Sequence, residues 1–345
     1  MHYLIYGTGA VGGYLGCALA LAGNPVTFLA RAHIAEAMLT GGLRLGGEGP
    51  AGHLEAPQVI TTLEQAWEGE APNVVLLCVK AYDCGAAADA LQALPAKEFP
   101  VVSLLNGINN EQTLAASLGE GRVIPATLTT AVQMIEPGVL RVERLRGVGF
   151  AGGHASLPAL LSDFQAAGLE AHRYPDPARM KWSKLLTNIM TNATSAILGW
   201  MPSQIFTHPK VAALEIEALR EAVRVMAAMG IRPQNLPHVP VAVLGRAIFM
   251  PYALTRPILG LIVGRGRGEK KPSFHYDIGR GRSEVRWLNG AVVSSGRELG
   301  VPTPVNAALT DTLLSLVHGE VNPEMYLNRP DKLLAQAAAY GWHLA

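Results

Sequence analysis

Three cysteines, Cys17, Cys78 and Cys84, are all that the 345 residues contain, and they lie in the first quarter of the chain. An odd, clustered set of this kind excludes a disulfide framework, so a reducing, cytoplasmic compartment is expected. Charge is equally thin. Charged residues make up 16% of the chain, and Lys+Arg 28 against Asp+Glu 27 leave a formal +1. That balance excludes a polyanion-binding surface spread over the whole molecule, and no nucleic-acid partner is expected. An uninterrupted membrane-length apolar run is also missing. Val239 to Val263 is long enough, but it carries Arg246 and Arg256 with Pro240, Pro251 and Pro257. It predicts punctuated helices buried in a core or subunit interface, not a bilayer span. The apolar start of the chain is broken by Gly7, Gly9, Gly12 and Gly13 with no Lys or Arg before it, which does not make a signal peptide. What remains is a globular protein, 49% hydrophobic, long enough for two domains of ~150 residues.

Residues 1–176 alternate short apolar runs with helical stretches. Tyr3–Tyr6 and Val26–Ala30 read as strands around a helix from Val11 to Ala22. Val74–Val79 and Val101–Leu105 are the unbroken runs that parallel strands show when both faces are covered. Val139–Val142 and Val148–Ala151 read as a hairpin-like pair, Leu157–Ala167 as a helix and Glu170–Tyr174 as a closing strand. From 177 to 345 helical periods dominate: Arg179–Leu198, Lys210–Met229, Asp277–Leu299 and Val305–His318. The fold class expected is therefore α/β, a Rossmann-type doubly wound N-terminal domain (1–176) followed by a mainly α-helical domain (177–345). Gly264–Lys271, rich in Gly, Arg and Lys, reads as a solvated mobile loop.

Gly7-Thr8-Gly9-Ala10-Val11-Gly12 follows a strand and opens a helix. In that context the first glycine permits a tight turn and the second lets the backbone approach a pyrophosphate. The third lets helix and strand pack closely, and the helix N-terminus offers N–H groups to the phosphates. An NAD site would place an acid at the end of the second strand. Here stands Phe28-Leu29-Ala30-Arg31, and Arg31 suits a 2′-phosphate, so NADP(H) is the expected cofactor. Lys80 and Asn106 follow later strands at the ends where ligands bind in open α/β sheets; each fits either a ligand contact or a turn cap. The ten histidines and three cysteines show no metal-ligand spacing, so no metal is expected.

Lys184, Asn188 and Asn192 recur at i, i+4 and i+8, which on a continuous helix stacks them on one face among Leu185, Leu186, Ile189 and Ala193. With the glycine motif and Arg31, with Val79-Lys80-Ala-Tyr82-Asp83 and Leu105-Asn106-Gly107, and with Ser273-x-x-x-Asp277, Ser283-Glu284 and Leu288-Asn289-Gly290, the chain resembles the ketopantoate reductases, NADPH-dependent 2-dehydropantoate 2-reductases. The resemblance implies that Gly7–Gly12 hold the pyrophosphate while Arg31 and Lys80 lie at the adenosine end. It puts Asn106 between nicotinamide and substrate, and makes Lys184 the general acid. It has Asn188 and Asn192 bond the substrate, Ser273 take its carboxylate, and Glu284 lie near the nicotinamide ribose and the active site. The substrate implied is a small anionic 2-oxo acid. Val239–Val263, as buried helices at a subunit contact, makes a homodimer the expected assembly. A lysine suits the chemistry: hydride delivered to a ketone leaves an alkoxide, which an ammonium both stabilises and protonates.

Three features near the substrate residues depart from the family. Glu284 follows Asp277 one residue sooner than is usual, Pro202-Ser203 replaces an Asn-Gly pair, and residues 239–271 are an elaboration before Ser273. A paralogous NADPH-dependent reductase of another 2-oxo acid is thus the alternative enzyme. A non-catalytic NADPH-binding sensor is the alternative from another class, and a proton donor at Lys184 has no use in it.

Overall fold

The computed structural model describes residues 1–95, 98–267 and 272–343, with side chains except over 262–267. The chain divides into two compact units. One comprises Met1–Leu105, Asn109–Lys181 and Leu236–Val239; the other comprises Asn106–Ile108, Trp182–Asn235 and Pro240–Ala345.

The first unit opens with β1 (Tyr3–Tyr6), α1 (Ala10–Leu21), β2 (Val26–Leu29), α2 (Ala32–Gly41), β3 (Leu43–Gly47), β4 (Gly52–Leu54) and β5 (Gln58–Ile60). Next come β6 (Val74–Leu77), α3 (Cys84–Ala93), β7 (Val101–Ser103), α4 (Asn110–Leu118), β8 (Val123–Leu128), β9 (Ala131–Glu136), β10 (Val139–Arg144), β11 (Val148–Ala151), α5 (Leu157–Ala166) and β12 (Ala171–Tyr174). Eight strands form one sheet in the order β12-β11-β8-β7-β6-β1-β2-β5, parallel at every pairing except β11 with β8. Strand order reverses between β1 and β6, which makes the carboxyl ends of those strands the crevice of the sheet. Alternation fills both faces. Val74 and Leu76 join Tyr3, Ile5 and Phe164 in one core, while Val75 and Leu77 join Leu4, Leu91 and Leu114 in the other. The helix α1 is buried nearly all round because a second sheet, β4-β3-β10-β9, packs on the side it turns away from the first.

That second sheet corrects the expected hairpin. Val139–Val142 pairs with β9 and β3, and Val148–Ala151 with β8 and β12, so the two runs lie in different sheets.

Helices make up the second unit among the described residues: α6 (Pro177–Ile189, of which Trp182 onward belongs here), α7 (Asn192–Leu198), α8 (Pro202–Thr207) and α9 (Pro209–Ala228). After these come α10 (Val241–Ala247), α11 (Tyr252–Arg267), α12 (Asn289–Leu299), α13 (Pro304–His318) and α14 (Pro330–Ala339). Two expected helices are shorter than their periodicity. The run from Arg179 to Leu198 breaks at Thr191, whose φ is 61°. The run from Asp277 to Leu299 is helical only as a short turn at Glu284–Trp287 and then α12, because Gly279 and Gly281 both take φ 72° and end any earlier helix.

Glu221 on α9 ties this bundle together. Its Oε1 accepts the Val305 N–H at 2.8 Å, and its Oε2 accepts the Asn306 N–H at 2.9 Å and Asn306 Nδ2 at 2.7 Å, capping α13. Asn289 at the start of α12 donates to Asn306 Oδ1 at 2.9 Å.

The apolar segment from 239 resolves into α10 and α11, divided at Pro251. Neither arginine is buried unpaired in an apolar run: Arg246 is exposed. Arg256 donates to the Phe206 and Thr207 carbonyls at the end of α8, at 2.9 and 2.7 Å. Val241, Ile248 and Leu259 are buried, but Val243, Phe249, Leu254, Ile258 and Leu261 are exposed, so within one chain the expectation of buried helices holds for one face only. No helix among the described residues is long and apolar enough to cross a membrane. The expected loop at Gly264–Lys271 is helical backbone as far as Arg267; the rest of it lies outside the described residues.

Candidate active site

In the first unit the glycine motif joins β1 to α1 at the reversal of strand order. Gly7 takes φ +102°, a conformation that a side chain would strain, and a Cβ there would also lie 3.0 Å from the Cys78 backbone. A Cβ on Gly12 would meet the Gly7 carbonyl oxygen at 2.3 Å and Ile5 at 2.8 Å, so only glycine lets α1 start this close to β1. Gly9, the N-cap of α1, differs: a Cβ on it would find nothing within 4 Å. The surface over the helix N-terminus is thus open. No acid stands in its first turn, and the backbone N–H groups of Ala10 and Val11 suit a phosphate. Thr8 is buried and braces the turn, its Oγ1 donating to the Leu29 carbonyl at 3.0 Å. Arg31 is exposed at the N-cap of α2, just past the end of β2. Lys80 is exposed past the end of β6 and caps a short turn at Ala81–Asp83. The open helix N-terminus fits the pyrophosphate of a dinucleotide.

In the second unit, residues far apart in sequence converge. Asn188 on α6 donates through Nδ2 to Asn106 Oδ1 at 3.0 Å, and Lys184 lies half-buried one turn earlier on α6. Gly107 takes φ +91°, where a Cβ would lie 2.5 Å from the Trp287 carbonyl oxygen, and the Ile108 N–H donates to that same oxygen at 3.0 Å. The Asn106 segment is therefore braced by the turn that carries Glu284, itself buried. Asn192 donates from Nδ2 to Ser273 Oγ at 3.1 Å and accepts the Phe274 N–H on Oδ1 at 3.2 Å.

Asn106, Asn188, Asn192 and Ser273 are thus joined pairwise, and the Glu284 turn is joined to the Asn106 segment. The continuous three-residue stripe is corrected: Lys184 and Asn188 share a face of α6, but Asn192 starts a new helix beyond the left-handed Thr191 and reaches the Ser273 loop. The bracing role of Trp287 was not legible, since a backbone carbonyl leaves no mark in sequence. A buried ion pair in the first unit also escaped sequence reasoning: Lys181 Nζ lies 2.8 Å from Glu111 Oε1 and donates to the Leu105 carbonyl at 2.7 Å. Its signal was a second lysine on the same helix, three residues before Lys184. A groove of about 910 Å³ in the first unit, lined by Ala115, Pro125, Gly153 and His154 among others, contains none of the candidate residues. Among the described residues no group of three or more His, Cys, Asp or Glu could hold a metal ion.

A glycine turn on a Rossmann-type sheet followed by a separate helical unit is the architecture of a nicotinamide-dependent oxidoreductase, here one acting on CH–OH groups. Residues 3–151 match the model for ketopantoate reductase PanE/ApbA, and residues 176–316 match that for the ketopantoate reductase PanE/ApbA C terminal. The chain belongs to the ketopantoate reductase family. A 2-dehydropantoate 2-reductase of Mesorhizobium japonicum is 29% identical over 343 residues, covering 92% of this chain and 97% of that one. The crystal structure of a PanE/ApbA family ketopantoate reductase from Ralstonia eutropha JMP134 has a TM-score of 0.79 at 28% identity, covering 93% of this chain and 99% of that one. D-mandelate dehydrogenase, in a ternary structure with NADH and anilino(oxo)acetate, shares the fold at a TM-score of 0.75 and 19% identity, covering 92% of this chain and 99% of that one.

Proposed function

We propose that the chain reduces 2-dehydropantoate to pantoate with NADPH, in pantothenate and coenzyme A biosynthesis, with Lys184 as general acid. The observation that carries the reading is the 3.0 Å bond from Asn188 to Asn106, which fixes an amide beside the helix face bearing Lys184. The names of the relatives supply the substrate. In this reading residues 1–176 bind the cofactor through Gly7–Gly12, Arg31 and Lys80, and residues 177–345 serve substrate and dimer contacts.

A bound reduced nicotinamide would supply the hydride to the keto carbon. The carbonyl π electrons move to oxygen, Lys184 gives that oxygen a proton, and the neutral amine regains one from water. Accepting from Asn188 on Oδ1 makes Nδ2 the donor end of the Asn106 amide, suited to an oxygen of the oxo acid. Ser273, held by Asn192, takes the substrate carboxylate, and Glu284 serves the nicotinamide ribose. A second reading, reduction of a different 2-oxo acid, is favoured by Pro202, buried at the start of α8 where the family's Asn-Gly pair would stand. The same proposal makes the chain a cytoplasmic homodimer. Its three unpaired thiols suit a reducing compartment, and the exposed apolar residues of α10 and α11 suit a partner.

A hydride-transfer assay over branched and unbranched 2-oxo acids, with NADPH and with NADH, tests it. The highest kcat/KM is expected for 2-dehydropantoate. NADPH should bind about tenfold or more tightly than NADH, a preference that Arg31→Ala removes with the lost phosphate contact. Faster turnover of another oxo acid selects the second reading, and no turnover of any selects the sensor.

A further inference from the structure

Asn192 reaches Ser273 and Phe274 only because the chain leaves helical register immediately before it. Thr191 sits at φ 61°, ψ −3°, left-handed for a β-branched residue that disfavours this region. What holds it there lies on another helix. Glu215, on α9 and 1% exposed, accepts the Thr191 N–H on Oε1 at 2.6 Å and the Thr194 hydroxyl on Oε2 at 2.6 Å. One carboxylate thus bridges the two sides of the break, the residue before α7 and the first turn of α7, with Asn192 between them.

We propose that Glu215 is a positioning residue: it holds the Thr191 break and so aims the Asn192 amide at Ser273 and the Phe274 N–H. Three consequences of the geometry fit that role. A continuous helix would carry Asn192 one turn past Asn188 on the same face; the break instead releases it to a segment 81 residues further on. Both ends of the Asn192 amide are then engaged, Nδ2 by Ser273 and Oδ1 by Phe274, so a small rotation at the break misplaces both contacts together. An acid inside the apolar stripe of Val211, Ala218, Ala222 and Val225 is costly to bury, and its two bonds to the break offset that cost locally. The effect of Glu215 on substrate binding rests on the reading of Ser273 as part of the oxo acid site; its effect on the loop does not.

The test separates the two. Glu215→Gln keeps the shape but presents an NH2 where one of the two acceptors stood, and Thr194→Val removes the hydroxyl from the other side if the first variant folds poorly. Hydrogen exchange, followed in the full-length protein, should quicken at the Phe274 amide by about tenfold or more in either variant, while amides of β1 and β6 keep their rates. In the same variants KM for the 2-oxo acid should rise about tenfold, with kcat changing less than about threefold and NADPH affinity less than about twofold. Unchanged exchange at Phe274 in a folded variant overturns the positioning role whatever the substrate is. Faster exchange with KM unchanged supports the positioning role and removes Asn192 and Ser273 from the substrate site instead.

Discussion

Two lysines three residues apart on α6 have opposite prospects, and their surroundings say why. Lys181 is 6% exposed, and its ammonium is engaged by Glu111, which also accepts the Ser103 hydroxyl, and by two backbone carbonyls. A charge buried and satisfied in this way is structural, and removing one member of such a pair costs about 3–5 kcal/mol because the other is left uncompensated. Lys184 is half-buried beside the Asn188–Asn106 pair. The two substitutions should therefore part company in one set of measurements. Lys184→Ala should fold normally and bind NADPH normally, yet lose about 10² or more in kcat, the scale of a positioned general acid. Lys181→Ala should lose stability in a denaturant titration at once. A Lys184→Ala enzyme with near-normal kcat and only a raised KM would make Lys184 a binding group.

Two buried acids of α9, Glu215 and Glu221, hold the starts of neighbouring helices, and Glu221 gives a pH signature. Burial pushes the Glu221 carboxyl up to about 7, against the opposing pull of three N–H donors at the start of α13. With the folded value raised above the unfolded one, the folded state holds a proton over the range from about 4.5 to about 7 that the unfolded state has given up. Stability from this group is therefore present at the acid end and declines as pH rises through that window, by an amount on the order of 3 kcal/mol. Melting Glu221→Gln beside the unmodified protein at pH 5 and pH 8 checks it: the fall in stability between the two should shrink in the variant, and an equal fall in both assigns the window to other groups. Glu221 also shows what the sequence hid. The glycine turn and the strands around it were legible because each depends on near neighbours in the chain. The second sheet was not: β3 ends in Gly46-Gly47 and β9 is half-exposed, so neither shows the apolar run of a buried strand. Nor was the break at Thr191, where nothing local stops a helix and the cause is Glu215, on α9 about one and two-thirds turns before Glu221.

At the scale of the whole molecule, a chain with almost no net charge has little long-range repulsion between copies, so association turns on what its surface exposes. Most large apolar side chains are inside, and single exposed ones elsewhere are ordinary. The exception is local: Val243, Phe249, Met250, Leu254, Ile258 and Leu261 are all exposed within one stretch of α10 and α11. On α11, Leu254, Ile258 and Leu261 follow at i, i+4 and i+7, the spacing of one helical face. The opposite side of the same helices is anchored, through Leu259 and Thr255 in the interior and Arg256 on the α8 carbonyls, so this face is presented by a fixed element. A fixed apolar face left exposed among the described residues suits a homodimer contact. Sedimentation at micromolar concentration should give a dimer. Leu254→Glu combined with Leu261→Glu, at 50% and 55% exposed positions whose replacement leaves the core intact, should give a folded monomer. A monomeric unmodified protein removes the contact outright, and a double variant that stays dimeric moves the interface to another surface.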